Sequence, residues 1–338
     1  MNISYRAAVV QAAPVFMDLS AGVDKAVRLI AEAAQQGASI IAFPECWLPG
    51  YPWWAWLSTP AHNIRYFQRY HENSVVVDGA AFDRIAEAAQ QHNIFVSMGA
   101  SERDQGSLYI AQFLFDNDGD VVQARRKLKP THVERTIYGE GDGSDLDVLD
   151  TSLGRIGQLC CWEHMQPLTK YAMFSMHEQV HIAAWPSFSC YPDAYALGGP
   201  LNNALSQVYA AEGQCFVLAP CGMVSPAMYK LMVDTDEQAG LMAVGGGYAQ
   251  IYGPDGRPLC EPLAHTEEGL LFADIDLGVI AIAKSFADPV GHYSRPDVTR
   301  LLLNREPQPV VEIYERELMD DIDAGETDES CGDDPSYH

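Results

Sequence analysis

Short apolar runs of strand length alternate with helix-period segments along most of the chain. "YRAAVVQAA" is a run of small apolar residues with the length of a strand. Val23, Ala26, Val27, Ile30 and Ala34 then recur at the spacing of one helix face, and Gly37 stands where that helix stops. "SIIAFPE" reads as a buried strand ending at Pro44 and Glu45. Phe82, Ile85, Ala88 and Ala89 mark a second helix, followed by the strand "NIFVSMGAS". "SLYIAQFLF" and "VVQARRKLK" flank "DNDGD", which predicts a hairpin turning at Asp118-Gly119.

The second half repeats the rhythm. "RIGQLCCWE" predicts a strand, "PLTKYAMFSM" a helix and "HIAAWPS" another strand. Leu201, Ala204, Leu205, Val208 and Ala211 predict a helix closed by Gly213. "CFVLAPC" is a further strand, and "YAQIYGPDGRPLCE" a second hairpin turning at Asp255-Gly256. A doubled helix–strand–helix–strand–hairpin pattern, with no Gly-, Ser- or Pro-rich linker between its halves, predicts one α/β domain with an internal pseudo-two-fold and a mixed sheet in each half.

Composition limits what such a domain binds. The 338 residues are 48% hydrophobic, enough for a sizeable core, and the formal net charge of −25 argues against nucleic acid or an anionic membrane surface as partner. From Glu312 to His338 eleven acids face one base, Arg316, so this stretch carries −10 of the total. Domain boundaries are therefore set at 1–305 for the folded part and 306–338 for an acidic, disordered tail. The N-terminal residues lack the basic start and apolar core of a signal peptide, and no run of about 18 apolar residues suits a transmembrane helix. Eight cysteines without CxxC spacing point to free thiols in a reducing cytoplasm.

Three stretches place reactive groups at strand ends, where open α/β sheets assemble their sites: "FPECWLPGYPWW", "RRKLKPTHVERTIYGEGDGS" and "GQLCCWEH". They offer Glu45, Lys127 or Lys129, Glu134 and one of two adjacent cysteines. Neighbouring strand residues point to opposite faces, so at most one of Cys160 and Cys161 faces a given site. A thiol needs a base or a cation to become a nucleophile. Two glutamates around one lysine point to proton transfer during attack rather than a permanent ion pair. Each piece also has a plain alternative: a cysteine on an apolar strand as a small core residue, "RRKLK" as a solvated strand edge. "GEGDGS" lacks the ending and context of a phosphate loop, "DNDGD" the rest of a calcium loop, and "CCWEH" the spacing of metal ligands. No cofactor and no metal is expected.

Together, in this order and at this spacing, the three stretches resemble the nitrilase superfamily, and its nitrilase branch in particular, over residues 5–305. The resemblance implies a four-layer αββα sandwich. It also implies a role for each matching position: Glu45 as general base, Lys127 rather than Lys129 as the catalytic lysine, Cys161 as nucleophile and Glu134 as the carboxylate holding Lys127. Cys160 then points into packing. Tyr51, Trp53, Trp54, Trp162, Trp185 and Pro186 are expected to wall the substrate pocket, with Glu163 and His164 shaping the wall behind Cys161. The implied reaction converts an arylaliphatic or aliphatic nitrile to its carboxylic acid and ammonia. "FADPVGHYSRPD" resembles the segment that follows the catalytic core in nitrilases, implying a homo-oligomer built from dimers and extending to spiral filaments.

The same motifs suit a cyanide dihydratase. An amidase or carbamoylase fits "CCWEH" less well, and a non-catalytic filament scaffold would lack at least one of Glu45, Lys127 and Cys161. A hydrolase running on a Cys161–His164 pair has poor geometry, since residues three apart at a strand end point to different faces.

Overall fold

Successive residues of the first strand bury on opposite sides. Ala7 and Val9 join one apolar cluster, Ala8 and Val10 another, and Ile40/Ala42 against Ile41/Phe43 repeat the alternation. A strand buried on both faces has no polar side to show, which is why these segments read as unbroken apolar runs. The computed structural model describes residues 3–311, of which those up to Pro307 form one unit. The acidic stretch from Glu312 lies outside the described residues.

In the first sheet β1 (Ser4–Ala12), β2 (Ala38–Ala42) and β3 (Phe95–Asp104) are parallel neighbours, and β4 (Ser107–Phe115) and β5 (Val121–Arg126) continue it antiparallel. In the second, β6 (Val148–Thr151) is antiparallel to β7 (Gly154–Cys160), which runs parallel to β8 (Val180–Ala184) and through it to β9 (Phe216–Ala219). The short β10 (Cys221–Gly222) returns to β1, and β11 (Gln250–Tyr252) pairs antiparallel with β9. Finally β12 (Gly269–Asp276) lies antiparallel along β1, from Ser4 opposite Asp276 to Gln11 opposite Gly269. Three parallel strands followed by an antiparallel one, in both sheets, are the doubled pattern of the sequence.

Helices Leu19–Gln35 and Ala80–His92 cover the first sheet through Val23, Ala26, Ile30, Phe82 and Ile85. Helices Pro167–Ser175 and Gly199–Gly213 cover the second through Met173, Phe174, Tyr209 and Ala210. Between the sheets, Ser97 of β3 hydrogen-bonds Gln158 of β7, and one apolar cluster holds Val9, Ile40, Ile156 and Ile182 together. The layers are helix, sheet, sheet, helix.

Some elements depart from the sequence pattern or go beyond it. The strand "RIGQLCCWE" stops at Cys160, and Cys161–Met165 form a 3-10 turn. Helix Gly199–Gly213 ends on Gln214, which takes the left-handed conformation (φ 53°) in place of a glycine. Strands β6 and β12 and helices Pro60–Glu72 and Ile280–Ala287 have no counterpart among the predicted elements. The face of β5 is inverted: Val121, Val122 and Ala124 are exposed while Gln123 and Arg125 are buried.

Candidate active site

Glu45 lies three residues beyond the end of β2 and is 1% exposed. Its segment presses onto β3, because a Cβ on Gly99 would sit 2.0 Å from the Pro44 carbonyl oxygen. Only glycine at position 99 lets Glu45 come in this close. Lys127 follows β5, anchored by its backbone N–H donating to the Ile110 carbonyl at 2.8 Å. Its ammonium donates to Glu45 Oε1 at 2.7 Å and to Glu134 Oε2 at 2.9 Å, with all three side chains buried.

Glu134 sits in the 3-10 turn His132–Thr136. It accepts from the Thr131 N–H at 2.6 Å, a capping-box bond, and from the Tyr51 hydroxyl at 2.5 Å. Glu45 Oε2 by contrast is buried without a hydrogen-bond partner. Cys161 directly follows β7 with φ 49°, a left-handed kink that re-aims a residue strand geometry would have placed otherwise.

Two acids, one base and one thiol, all buried, determine the electrostatics. Burial, opposed by Lys127 and reinforced by Glu134, raises the Glu45 carboxyl to about 7. Burial pulls Lys127 down, but Glu134 and Glu45 outweigh it and hold the ammonium well above its ordinary range. Burial and then Glu45 push the Cys161 thiol well up, with Lys127 opposing. The resting site therefore holds an ammonium, a neutral thiol and, at Glu45, a carboxyl poised to take a proton near neutrality.

Cys161 opens on a cleft lined also by Tyr51, Trp53, Trp56, Thr131, Glu134, Trp162, Pro186, Ser187, Phe188, Cys190, Leu197 and Asn202. A smaller recess sharing Tyr51, Trp53, Pro186 and Ser187 is lined by Glu45. Of the expected wall residues, Tyr51, Trp53, Trp162 and Pro186 line the cleft, and Trp54, Glu163, His164 and Trp185 do not. Trp54 is packed between Tyr66 and Tyr70, at ring separations of 5.6 and 5.9 Å. Glu163 is clamped by Arg125, and His164 stacks on Trp185 at 5.2 Å. Cys160 is wholly buried, its sulfur 4.0 Å from the Arg125 guanidinium. The exposed Lys129 pairs with Glu140 instead.

Trp56 is an unforeseen wall residue. It stacks on His132 at 5.2 Å and donates to the Tyr51 hydroxyl at 3.2 Å. Its place in "WWAW" beside Trp53 was the available signal. Asn202, which accepts from the Trp162 indole at 2.8 Å, carries no local signal, because the helix Gly199–Gly213 brings it in from 40 residues away. The Ser187 hydroxyl is buried in the wall without a partner. Among the described residues no group of three or more His, Cys, Asp or Glu is arranged to hold a metal ion.

This helix–sheet–sheet–helix fold is shared with solved structures, a carbon-nitrogen hydrolase among them. The enzyme of Helicobacter pylori G27 superposes with a TM-score of 0.68 at 17% identity, covering 87% of this chain and 96% of its own. The Caenorhabditis elegans NitFhit protein gives 0.69 at 18% identity over 91% of this chain and 69% of its own. In sequence the chain belongs to the carbon-nitrogen hydrolase family, whose profile matches residues 6–284. It is 55% identical to a nitrilase of Pseudomonas syringae over 92% of this chain and 93% of that protein. An aliphatic nitrilase of Rhodococcus rhodochrous is 52% identical (91% and 85% covered), and an arylacetone-specific nitrilase of Alcaligenes faecalis 51% (89% and 86%).

Proposed function

We propose that the protein hydrolyses an organic nitrile to the carboxylic acid and ammonia through a covalent bond to Cys161. The observation that carries this reading is the buried Lys127 held between Glu45 and Glu134 beside a thiol that opens on an aromatic cleft. Nitrilases identical at half or more of the aligned positions support the reaction class.

The Cys161 sulfur attacks the nitrile carbon as the thiol proton passes to Glu45. Lys127 stabilises the negative charge developing on nitrogen, as an oxyanion-hole donor does on oxygen. Glu45 passes that proton to the nitrogen, a first water adds across the resulting thioimidate, and the carbon–nitrogen bond breaks as the new hydroxyl proton leaves with ammonia, giving a thioester and a Glu45 carboxylate. A second water, deprotonated by Glu45, displaces the sulfur and releases the acid. Two waters are consumed per nitrile. Glu134 touches no reacting atom in this scheme; it shares Lys127 with Glu45.

The rings of Tyr51, Trp53, Trp56, Trp162 and Phe188 favour an arylaliphatic or aliphatic nitrile over a charged one. Ile282 and Phe286, 65% and 80% exposed on the helix Ile280–Ala287, favour a homo-oligomer, which sedimentation at two concentrations tests. The seven described cysteines are all free, in keeping with a reducing cytoplasm. Among the described residues no helix is long and apolar enough to cross a membrane.

Ammonia release from phenylacetonitrile, a short dinitrile, cyanide and the matching amides tests the reading. Organic nitriles turned over, with activity lost in Cys161→Ala and kept in Cys160→Ala, is the expected result. Activity on cyanide or on amides alone would overturn it.

A further inference from the structure

Behind the nucleophile lies a buried polar chain with no part in the reaction above. His164 Nδ1 is 2.6 Å from the Cys161 carbonyl oxygen, and His164 Nε2 is 2.9 Å from His181 Nε2. His181 Nδ1 is 3.0 Å from Glu178 Oε2, and the Tyr209 hydroxyl donates to Glu178 Oε1. His164 and His181 are 0% exposed and Glu178 1%. The fold makes room for the chain, since a Cβ on Gly157 would come within 2.1 Å of Glu178 Oε2.

Donor logic fixes its protons. A carbonyl only accepts, so His164 Nδ1 carries hydrogen. Burial, and then the neighbouring His181, keep His164 neutral; Lys170 and Arg125 also oppose its protonation. Its Nε2 is therefore an acceptor, and His181 Nε2–H donates to it. One proton remains between His181 Nδ1 and Glu178 Oε2, whichever of the two atoms holds it. Every link is then satisfied, from Tyr209 to the Cys161 carbonyl.

That carbonyl shares a peptide unit with the Trp162 N–H, and this N–H favours the Cys161 thiolate. Because the amide is conjugated, a donor on its oxygen makes its N–H a stronger donor. We propose that Glu178, His181 and His164 form a positioning relay that acts through the Cys161–Trp162 peptide unit, holding the left-handed turn at Cys161 and polarising the Trp162 N–H that follows it. His164 is thus neither base nor pocket wall, and the inference rests on Cys161 being the nucleophile.

The relay is tested with His164→Phe, which removes the donor, and His164→Asn, whose amide can donate to the same carbonyl. Loss of one such hydrogen bond predicts roughly a tenfold fall in kcat with KM nearly unchanged. It also predicts an upward shift in the pH midpoint of iodoacetamide alkylation at Cys161, whose other charged neighbours are Glu45, Lys127 and Glu134. His164→Asn is expected to recover most of both. His164→Phe that melts with the wild type and keeps its kcat and alkylation profile would overturn the relay. Histidine 15N NMR of the unmutated protein decides the case even if His164→Phe does not fold. The relay requires Nδ1 protonated and Nε2 bare on His164, and the opposite tautomer refutes it. Activity surviving in Cys161→Ala would instead refute the nucleophile assignment, leaving the tautomer result to stand or fall separately.

Discussion

Arg125 and Lys127 lie two residues apart, both buried, both bonded to glutamates, yet their surroundings differ. Arg125 grips Glu163 with two parallel bonds of 2.7 and 3.0 Å, and Glu163 spends its remaining capacity on the backbone N–H groups of Leu128 and Cys160. Every oxygen is occupied, and although burial works against it, Arg125 holds the Glu163 carboxyl below its ordinary range. Lys127 instead divides one charge between two carboxylates, and Glu45 Oε2 has no partner. Burial lifts the Glu45 carboxyl to about 7. A closed pair holds structure; an incompletely partnered carboxylate beside a thiol is available for proton transfer. Glu163 also joins the two chain segments that carry Lys127 and Cys161, so this closed pair sets the spacing of the open one.

Removing each cation should separate the two roles. In the proposed mechanism Lys127→Met leaves the developing charge on nitrogen without its donor and should lower kcat by about 10²–10³-fold, measured as ammonia release. Arg125→Met strands Glu163 as a buried, uncompensated charge, which costs about 3–5 kcal/mol of stability and is read from denaturant unfolding; turnover per folded molecule should fall less than in Lys127→Met.

pH sharpens the contrast. In the proposed mechanism Glu45 must be ionised to accept the thiol proton, so kcat/KM should fall about tenfold per unit below an acid limb near pH 7. For stability the two glutamates have opposite signs. The folded state holds the Glu45 proton more tightly than the unfolded chain, so this group costs stability as pH rises from 4.5 to about 7. Glu163 is depressed, so its contribution is present above 4.5 and is lost as pH falls through its lower folded value. Calorimetric Tm against pH, with Glu163→Gln for comparison, checks the second sign. The smallest effect belongs to the pocket: Trp53→Phe should change KM ratios among nitriles severalfold, while Trp54→Phe, in a different cluster of rings, leaves them unchanged.

Much of this was legible in the sequence where local pattern and burial agree. The apolar runs of β1 to β3 and the helices Leu19–Gln35 and Ala80–His92 follow from periodicity, and three short motifs brought Glu45, Lys127, Glu134 and Cys161 forward. At β5 the apolar rule pointed the wrong way. "VVQARRKLK" alternates with period two, but its valines are exposed and Gln123, Arg125 and Lys127 face inward toward partners supplied by distant segments of the chain. Alternation tells which residues share a face; it does not tell which face is inside when the interior is polar. The kink at Cys161 depends on a φ angle that no residue type announces, and Trp53 and Trp54 part company because the chain turns into a short helix between them. β12 escaped because its partner is at the other end of the chain, with no turn to join them.

The most direct test of two differently closed ion pairs is Glu45→Gln beside Glu163→Gln, with ammonia release and Tm measured on both. Glu45→Gln should lose about 10²–10⁴-fold in turnover and melt within a few degrees of the wild type, whereas Glu163→Gln should lose mainly Tm. Glu45→Gln retaining more than about a tenth of wild-type turnover would contradict the account, because the general base would then lie elsewhere.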